Sequence, residues 1–435
     1  MDAKFKNSDN IISVTRLEPI IIQPETKISN GSYFLSNLDH ATPVLMQTLY
    51  LYKLDGKRSG EGACDVMKKA LAKVLVHYYP LAGRIRVGPD GKFSVLCTHE
   101  GVPFVEAVAD CQVDVLGDII APDYAVLRKL VYVVPGAEDI SEMPLMTAQV
   151  TTFKGEDFAL GLTLHHLMAD GMSAMEFVNS WAETARGLSL TTPPCLGRTL
   201  FKSRQPPKID SSFENTFTGI SDISNIEKLY QEEQIIIESF NFDVDKLARL
   251  KKLAMEDGAL KACTSFTVLA ALLWRARSKA LNMKLNQKTK LIFTVDIRSK
   301  FKEPLPKGYF GNGVVATQCH CLAGDLIENP FSFGAKLVQN AIQGVNEEYV
   351  QSYIDYFEET KAMPSLNATL VITSWTRIPF ENANFGWGEA TQFGPVILPP
   401  EVAFFRPEGK DKKGIILVLG LPVSAMNTFK ELMQI

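Results

Sequence analysis

Six histidines stand in 435 residues, and two of them are adjacent, His165 and His166. The run Thr163-Leu164-His165-His166-Leu167-Met168-Ala169-Asp170-Gly171-Met172-Ser173-Ala174 sets an acid four residues after His166, a spacing that no other histidine of the chain has. An imidazole with an ordinary pKa of about 6.5 is mostly neutral at cytosolic pH, so it can accept a proton from an alcohol or an amine. Asp170 need not touch the ring. In a tight strand-to-helix turn it is equally able to hold an arginine from elsewhere and keep the loop in shape. Arg298, in Val295-Asp296-Ile297-Arg298 just past a strand, is the candidate partner. Gly171 permits the bend. The rival reading of the same residues is plainer, two ordinary histidines at a strand end. His165 should face away from His166 if the strand persists, which gives it a packing or hydrogen-bonding role.

Other chemistries find no template. The chain has no GxSxG elbow, no HExxH helix and no Walker lysine loop. Gly311-Asn312-Gly313-Val314-Val315-Ala316 has the GxGxxA form of a dinucleotide loop, but the TQCHC that follows is β-like where a helix is required, so it reads as a turn. In Cys319-His320-Cys321 an extended backbone would point His320 away from both thiols, and no second ligand pair accompanies it, so no metal is expected.

The elements that must position His166 follow from hydrophobic spacing. Phe158 to Leu164 reads as the strand leading in, and Gly171 to Arg186 as the helix leading out, with Met175, Val178, Trp181 and Ala185 on one side. A helix over Cys64 to Tyr79 shows Val66, Ala70, Val74 and His77 on one face and stops at Pro80. Phe93 to Cys97, Leu130 to Val134 and Met146 to Phe153 read as strands. Residues 191–230 are rich in Pro, Ser and Thr without a period and form the expected crossover linker between halves 1–190 and 231–435. The second half restarts with helices over Val244 to Asp257 and Thr264 to Met283 and a strand over Lys290 to Val295. A long helical stretch over Phe331 to Glu359, strands over Ala368 to Trp375 and Gly414 to Leu421, and a helix from Ser424 follow. Each half mixes helices with sheet, an α/β chain without a short repeat.

Hydrophobic residues at 46% and charged residues at 22% are ordinary for a globular protein, and the net charge of −4 offers no basic field for nucleic acid. The apolar runs are too short to span a bilayer, and no secretory leader is legible at the amino end. Seven cysteines, an odd number, read as reduced thiols in a cytoplasmic protein.

The chain resembles the plant BAHD acyl-CoA-dependent acyltransferases. HHLMADG carries the resemblance together with Tyr79-Pro80-Leu81-Ala82-Gly83-Arg84, Ser36-Asn37-Leu38-Asp39, Gly308-Tyr309-Phe310-Gly311-Asn312 and Asn384-Phe385-Gly386-Trp387-Gly388, in the family's order along the whole chain. The resemblance implies a monomer of two similar chloramphenicol-acetyltransferase-like α/β domains with a channel between them. Acyl-CoA would enter from one face and the acceptor from the other, to meet at His166 without metal or resident cofactor. It also implies that Asp170 pairs structurally with Arg298, and that Thr373 and Trp375 of Thr373-Ser374-Trp375 supply hydroxyl and indole donors to an oxyanion. The family's usual DFGWG is NFGWG here. Gly386, Trp387 and Gly388 keep the motif, while Asn384 replaces a carboxylate and removes a charge-assisted bond.

Texture along the chain is most similar to the branch of the family that acylates ω-hydroxy fatty acids and fatty alcohols with hydroxycinnamoyl groups. Relatives that acylate shikimate or quinate carry an arginine about a dozen residues before the Thr-x-Trp motif. Here that stretch is Glu358-Glu359-Thr360-Lys361-Ala362-Met363, with a lysine and no arginine. A hydroxycinnamoyl donor and a hydrophobic alcohol acceptor are expected. An amine acceptor, a repurposed CoA-binding protein without turnover and a hydrolase stay open as rivals.

Overall fold

The computed structural model describes residues 12–27, 31–54, 60–119, 124–137, 139–210, 213, 218–362, 366, 368–409, 411 and 413–434. Two large sheets dominate it. A seven-stranded sheet runs in the order Val14–Arg16, Val102–Ala109, Met146–Thr152, Phe158–His165, Leu45–Tyr52, Gln392–Pro395, with Ile20–Ile22 also on Val102–Ala109. A six-stranded sheet runs Ile235–Phe242, Gly414–Pro422, Val402–Glu408, Thr369–Ser374, Lys288–Asp296, Val314–Leu322.

The two sheets share a plan. Leu45–Tyr52, Phe158–His165, Met146–Thr152 and Val102–Ala109 lie side by side with antiparallel, antiparallel and parallel pairings. Ile235–Phe242, Gly414–Pro422, Val402–Glu408 and Thr369–Ser374 repeat that order and those directions. A helix follows the corresponding strand each time, Gly171–Ala185 in one half and Val423–Leu432 in the other. The same α/β unit is thus built twice. One strand breaks the segregation: Gln392–Pro395, late in the chain, pairs antiparallel with Leu45–Tyr52 and extends the other half's sheet.

Amphipathic spacing explains the layers. Met67, Ala70, Leu71, Val74 and Leu75 of helix Ala63–His77 face the seven-stranded sheet beside Met175, Val178 and Trp181 of Gly171–Ala185. His77, expected on that apolar face, is exposed instead. The other sheet face carries Leu49, Leu51 and Ala159 against Leu130 and Val131.

Two expected elements differ. Leu130 to Val134 is not a strand: a short 3₁₀ turn over Arg128–Leu130 leads into an irregular segment laid across the sheet. Its carbonyls are taken by side chains, Tyr132 O by Thr147 and Thr163, and Lys129 O by Gln149. The apolar run covers the sheet face instead of pairing as one of its strands. Phe331 to Glu359 divides into Phe331–Gly344 and Glu347–Thr360, because Asn346 takes an extended conformation and caps the second helix at the Tyr349 N–H.

Candidate active site

The seven-stranded sheet delivers His165 and stops; a turn then places His166 before helix Gly171–Ala185. Backbone bonds fix the turn, from His166 N to Val44 O at 2.9 Å and from Met168 N to His165 O at 2.9 Å. Asn312 Nδ2 donates to the His166 carbonyl at 2.7 Å. The His166 ring is half-buried, and its enclosed Nδ1 has no hydrogen-bond partner among the described residues. Burial lowers its pKa below the ordinary value, with the Asp170 charge acting in the opposite sense. The ring is therefore neutral near neutral pH and able to accept a proton.

Asp170 is the N-cap of the helix and is 2% exposed. Its carboxylate accepts from Ser173 N at 2.9 Å, Gly313 N at 2.8 Å, and the two Nη groups of Arg298 at 2.9 and 2.8 Å. A carboxylate offers about four acceptor sites, so Asp170 is saturated and has none left for His166. Its part is to lock the turn. Burial alone would lower the Arg298 pKa, and the charges and hydrogen bonds of Asp170 and Asp296 together raise it above the ordinary value. A side chain at Gly313 would displace the guanidinium from Asp170: a Cβ there would stand 2.6 Å from Arg298 Nη1 and 2.7 Å from its Cζ.

Behind the turn lies a second buried ion pair. Arg198 and Asp39 meet at 3.1 Å with both side chains fully enclosed. Arg198 donates to the carbonyls of Leu167, Met168 and Phe310, while Asp39 accepts from the Asn312 N–H and side chain and from Ser36. Sequence reasoning missed this shell. Asp39 and Asn312 lay inside quoted motifs but had no role, and Arg198 is one of two arginines in the stretch read as linker.

Trp375 follows strand Thr369–Ser374. A Cβ on Gly171 would lie 3.8 Å from Trp375 Nε1, so the indole N–H borders the start of the site helix. Thr373 pairs with Phe404 in register and is half-buried. Trp375 also closes an apolar cavity of about 470 Å³, its open mouth included, walled by Met46, Thr48, Tyr50, Leu164, Met175 and Val178. His166, Asp170, Gly171, Arg298 and Trp375 are thus brought into one region.

Asn384, Gly386, Trp387 and Gly388 lie elsewhere. Phe385 packs edge-on to Tyr52 and Trp181, and Trp387 edge-on to Phe158. Tyr52 pairs with Phe158 seven residues from the Leu45–His165 pair, about 23 Å along the strands at roughly 3.3 Å per residue. Asn384 Oδ1 accepts from Gly386 N at 2.9 Å and Gly388 N at 3.1 Å, and both glycines have positive φ. The amide oxygen thus closes the loop as a carboxylate oxygen would, without the charge. Lys361 is at the surface, its Nζ bonded to Asp90 O. His320 is exposed and Cys319 buried, on opposite strand faces, and no group of three or more metal-ligating side chains occurs among the described residues.

A duplicated α/β unit with HxxxD at the end of one sheet is what the family resemblance implies, and comparison with known proteins agrees. A family model described as the transferase family matches residues 12–435. Omega-hydroxypalmitate O-feruloyl transferase of Arabidopsis thaliana is 50% identical over 99% of this chain and 96% of its own. Fatty alcohol:caffeoyl-CoA acyltransferase of the same plant is 48% identical over 97% of this chain and 98% of its own. The crystal structure of vinorine synthase has the same fold, with a TM-score of 0.74 at 22% identity over 96% of each chain. The chain belongs to the BAHD family of acyl-CoA-dependent acyltransferases. No helix among the described residues is long and apolar enough to cross a membrane.

Proposed function

We propose that this enzyme moves a hydroxycinnamoyl group from CoA to the hydroxyl of a long-chain, apolar alcohol or hydroxy acid, with His166 as general base. The observation that carries the reading is the turn itself: a half-buried imidazole whose pKa is lowered by burial, on a loop whose carboxylate is wholly taken by Arg298 and backbone N–H groups. His166 takes the acceptor's hydroxyl proton as the oxygen attacks the thioester carbonyl carbon. The negative charge that gathers on the carbonyl oxygen meets the Trp375 indole N–H and the Thr373 hydroxyl. Collapse of the tetrahedral intermediate breaks the C–S bond and expels CoA thiolate, which recovers the proton from the imidazolium. The protein forms no covalent bond to the acyl group. Asp170, Arg298 and Gly171 position the base, and Asn384, Gly386, Trp387 and Gly388 brace the far end of the sheet.

The apolar cavity beside Trp375 suits an aliphatic acceptor chain, and the names of the two plant relatives support both the donor class and that acceptor. Residues 1–190 and 231–435 form the two walls, residues 191–230 cross between them, and the enzyme works as a cytoplasmic monomer. The test is CoA-thiol release from several acyl-CoAs against a panel of alcohols and amines, with His166→Ala alongside. Acceptor-dependent release should fall by about 10²-fold or more in the variant at an unchanged melting midpoint. Near-normal turnover would remove His166 from the chemistry, and acceptor-independent release would make the protein a hydrolase.

A further inference from the structure

The sheet face that carries Thr373 also carries a guanidinium. Val402–Glu408 runs parallel to Thr369–Ser374 with Phe404 opposite Thr373, so Phe404 and Arg406 share Thr373's face while Ala403 and Phe405 enter the core on the other side. Arg406 is half-buried and reaches across to the other sheet: Nη1 donates to Phe393 O at 3.3 Å, and Cζ stands 5.1 Å from the Phe393 ring. Its other bond is from Nε to Pro407 O at 3.4 Å. Asp118 acts on it through space, yet no carboxylate among the described residues is at ion-pair distance. Among the described residues these two long bonds are its only hydrogen bonds, so most of its five N–H donors have no partner there. The cleft around this cation is otherwise apolar, with Ile119, Tyr124, Leu398 and Phe404 in its wall.

A strip of rings joins this cation to the acyl-transfer region. Trp375 stacks on Phe380 at 5.2 Å, Phe380 on Phe393 at 4.0 Å, and Arg406 lies over Phe393. The strand register supplies a ruler. His165 pairs with Leu45, and Phe393 pairs with Tyr50, five residues further along the same strand and on its other side. Five steps of about 3.4 Å and two strand spacings of about 4.8 Å put the Phe393 backbone about 19 Å from that of His165. An all-trans chain advances about 1.2 Å per bond, as an extended polypeptide does, so the span holds about sixteen bonds.

From this geometry we infer that Arg406 anchors the carboxylate of an extended long-chain ω-hydroxy acid, whose hydroxyl lies at His166 and whose methylenes run along Trp375, Phe380 and Phe393. The inference rests on the acyl-transfer reading of His166 and adds a length and a charge to its acceptor. A forked guanidinium binds a carboxylate through two parallel hydrogen bonds, and a partly desolvated site strengthens them. A plain fatty alcohol fills the same strip without reaching the cation.

The experiment compares kcat/KM for 16-hydroxyhexadecanoic acid, its methyl ester and 1-hexadecanol with feruloyl-CoA as donor, together with ω-hydroxy acids of eight to twenty carbons. Wild type should favour the free acid over its ester by tenfold or more, with an optimum near sixteen carbons. Arg406→Gln should lower that acid-to-ester ratio at least tenfold, and Arg406→Lys should keep part of it. Because both acceptors are measured on the same protein, a general loss of folded enzyme leaves the ratio readable. An acid-to-ester ratio near one in wild type, or an unchanged ratio in Arg406→Gln, overturns the anchor while transfer to either acceptor preserves the acyl-transfer reading. Absence of transfer to every acceptor overturns both.

Discussion

Replacing Asp170 by Asn asks whether this carboxylate holds the turn or the ring. It accepts four N–H bonds, two of them from Arg298, and the paired side chains are 3% and 21% exposed, so solvent screens the pair little. An amide keeps one acceptor oxygen and turns an NH₂ toward groups that are all donors. Breaking one side of such a pair leaves a buried charge uncompensated and should cost about 3 kcal/mol of folding stability. Arg298→Gln should cost a similar amount. The double variant should lose about 2 kcal/mol less than the two together, because the pair is counted once. Urea unfolding of the four proteins measures this. Additive losses, or single losses under about 0.5 kcal/mol, would refute the lock. Kinetics separates it from a triad: a ring-orienting Asp170 would lose about 10⁴ in kcat on its own, as in serine proteases. A turn lock instead predicts comparable activity losses for Asp170→Asn and Arg298→Gln. Removing the Asp170 charge should also lower the His166 pKa further, moving the acid limb of kcat/KM to lower pH.

Three further outcomes follow from the same geometry. His165 is 1% exposed with neither ring nitrogen bonded among the described residues, and burial, followed by the neighbouring His166, lowers its pKa to about 4. The unfolded chain thus binds this proton first, and stability should fall as pH drops from about 6.5 to about 4, by roughly 3 kcal/mol across the window. His165→Leu should flatten that slope in unfolding curves; an unchanged slope would clear His165. Gly313→Ala should displace Arg298 and lower both kcat and the melting midpoint, whereas wild-type behaviour in both would contradict the close approach. Asn384→Asp should raise stability by about 1 kcal/mol through charge-assisted bonds to Gly386 N and Gly388 N, with kcat/KM unchanged. An unchanged midpoint would show that the amide serves equally well.

What was legible in the sequence was whatever local spacing encodes. Strand Phe158–His165 and helix Gly171–Ala185 followed from their apolar periods, and the turn at Gly311-Asn312-Gly313 from the β-like TQCHC after it. What was not legible depends on distant partners. Leu130 to Val134 has a strand's composition, but its Tyr132 carbonyl is met by Thr147 and Thr163 and the Lys129 carbonyl just before it by Gln149, which no window around it contains. Arg198 sits among prolines and serines, and only the folded chain shows its guanidinium holding the Leu167 and Met168 carbonyls. The duplication was expected from the family resemblance and not from residue spacing, because the halves share pairing directions while their residues differ. At the strand end matching His165 the second half has Pro422, and Val423 opens the helix directly, so that copy of the unit has no histidine-bearing turn.

The pairing of Gln392–Pro395 with Leu45–Tyr52 has a consequence for biosynthesis. During translation Leu45–Tyr52 is made early and presents an open edge until residue 395 has left the ribosome. Unpaired edges recruit other strands, so the nascent chain carries an aggregation hazard through most of its synthesis. The clasp that removes the hazard also sets Phe393 against Phe380 and Arg406, so the nascent enzyme acquires its substrate cleft in the same late event that makes it safe.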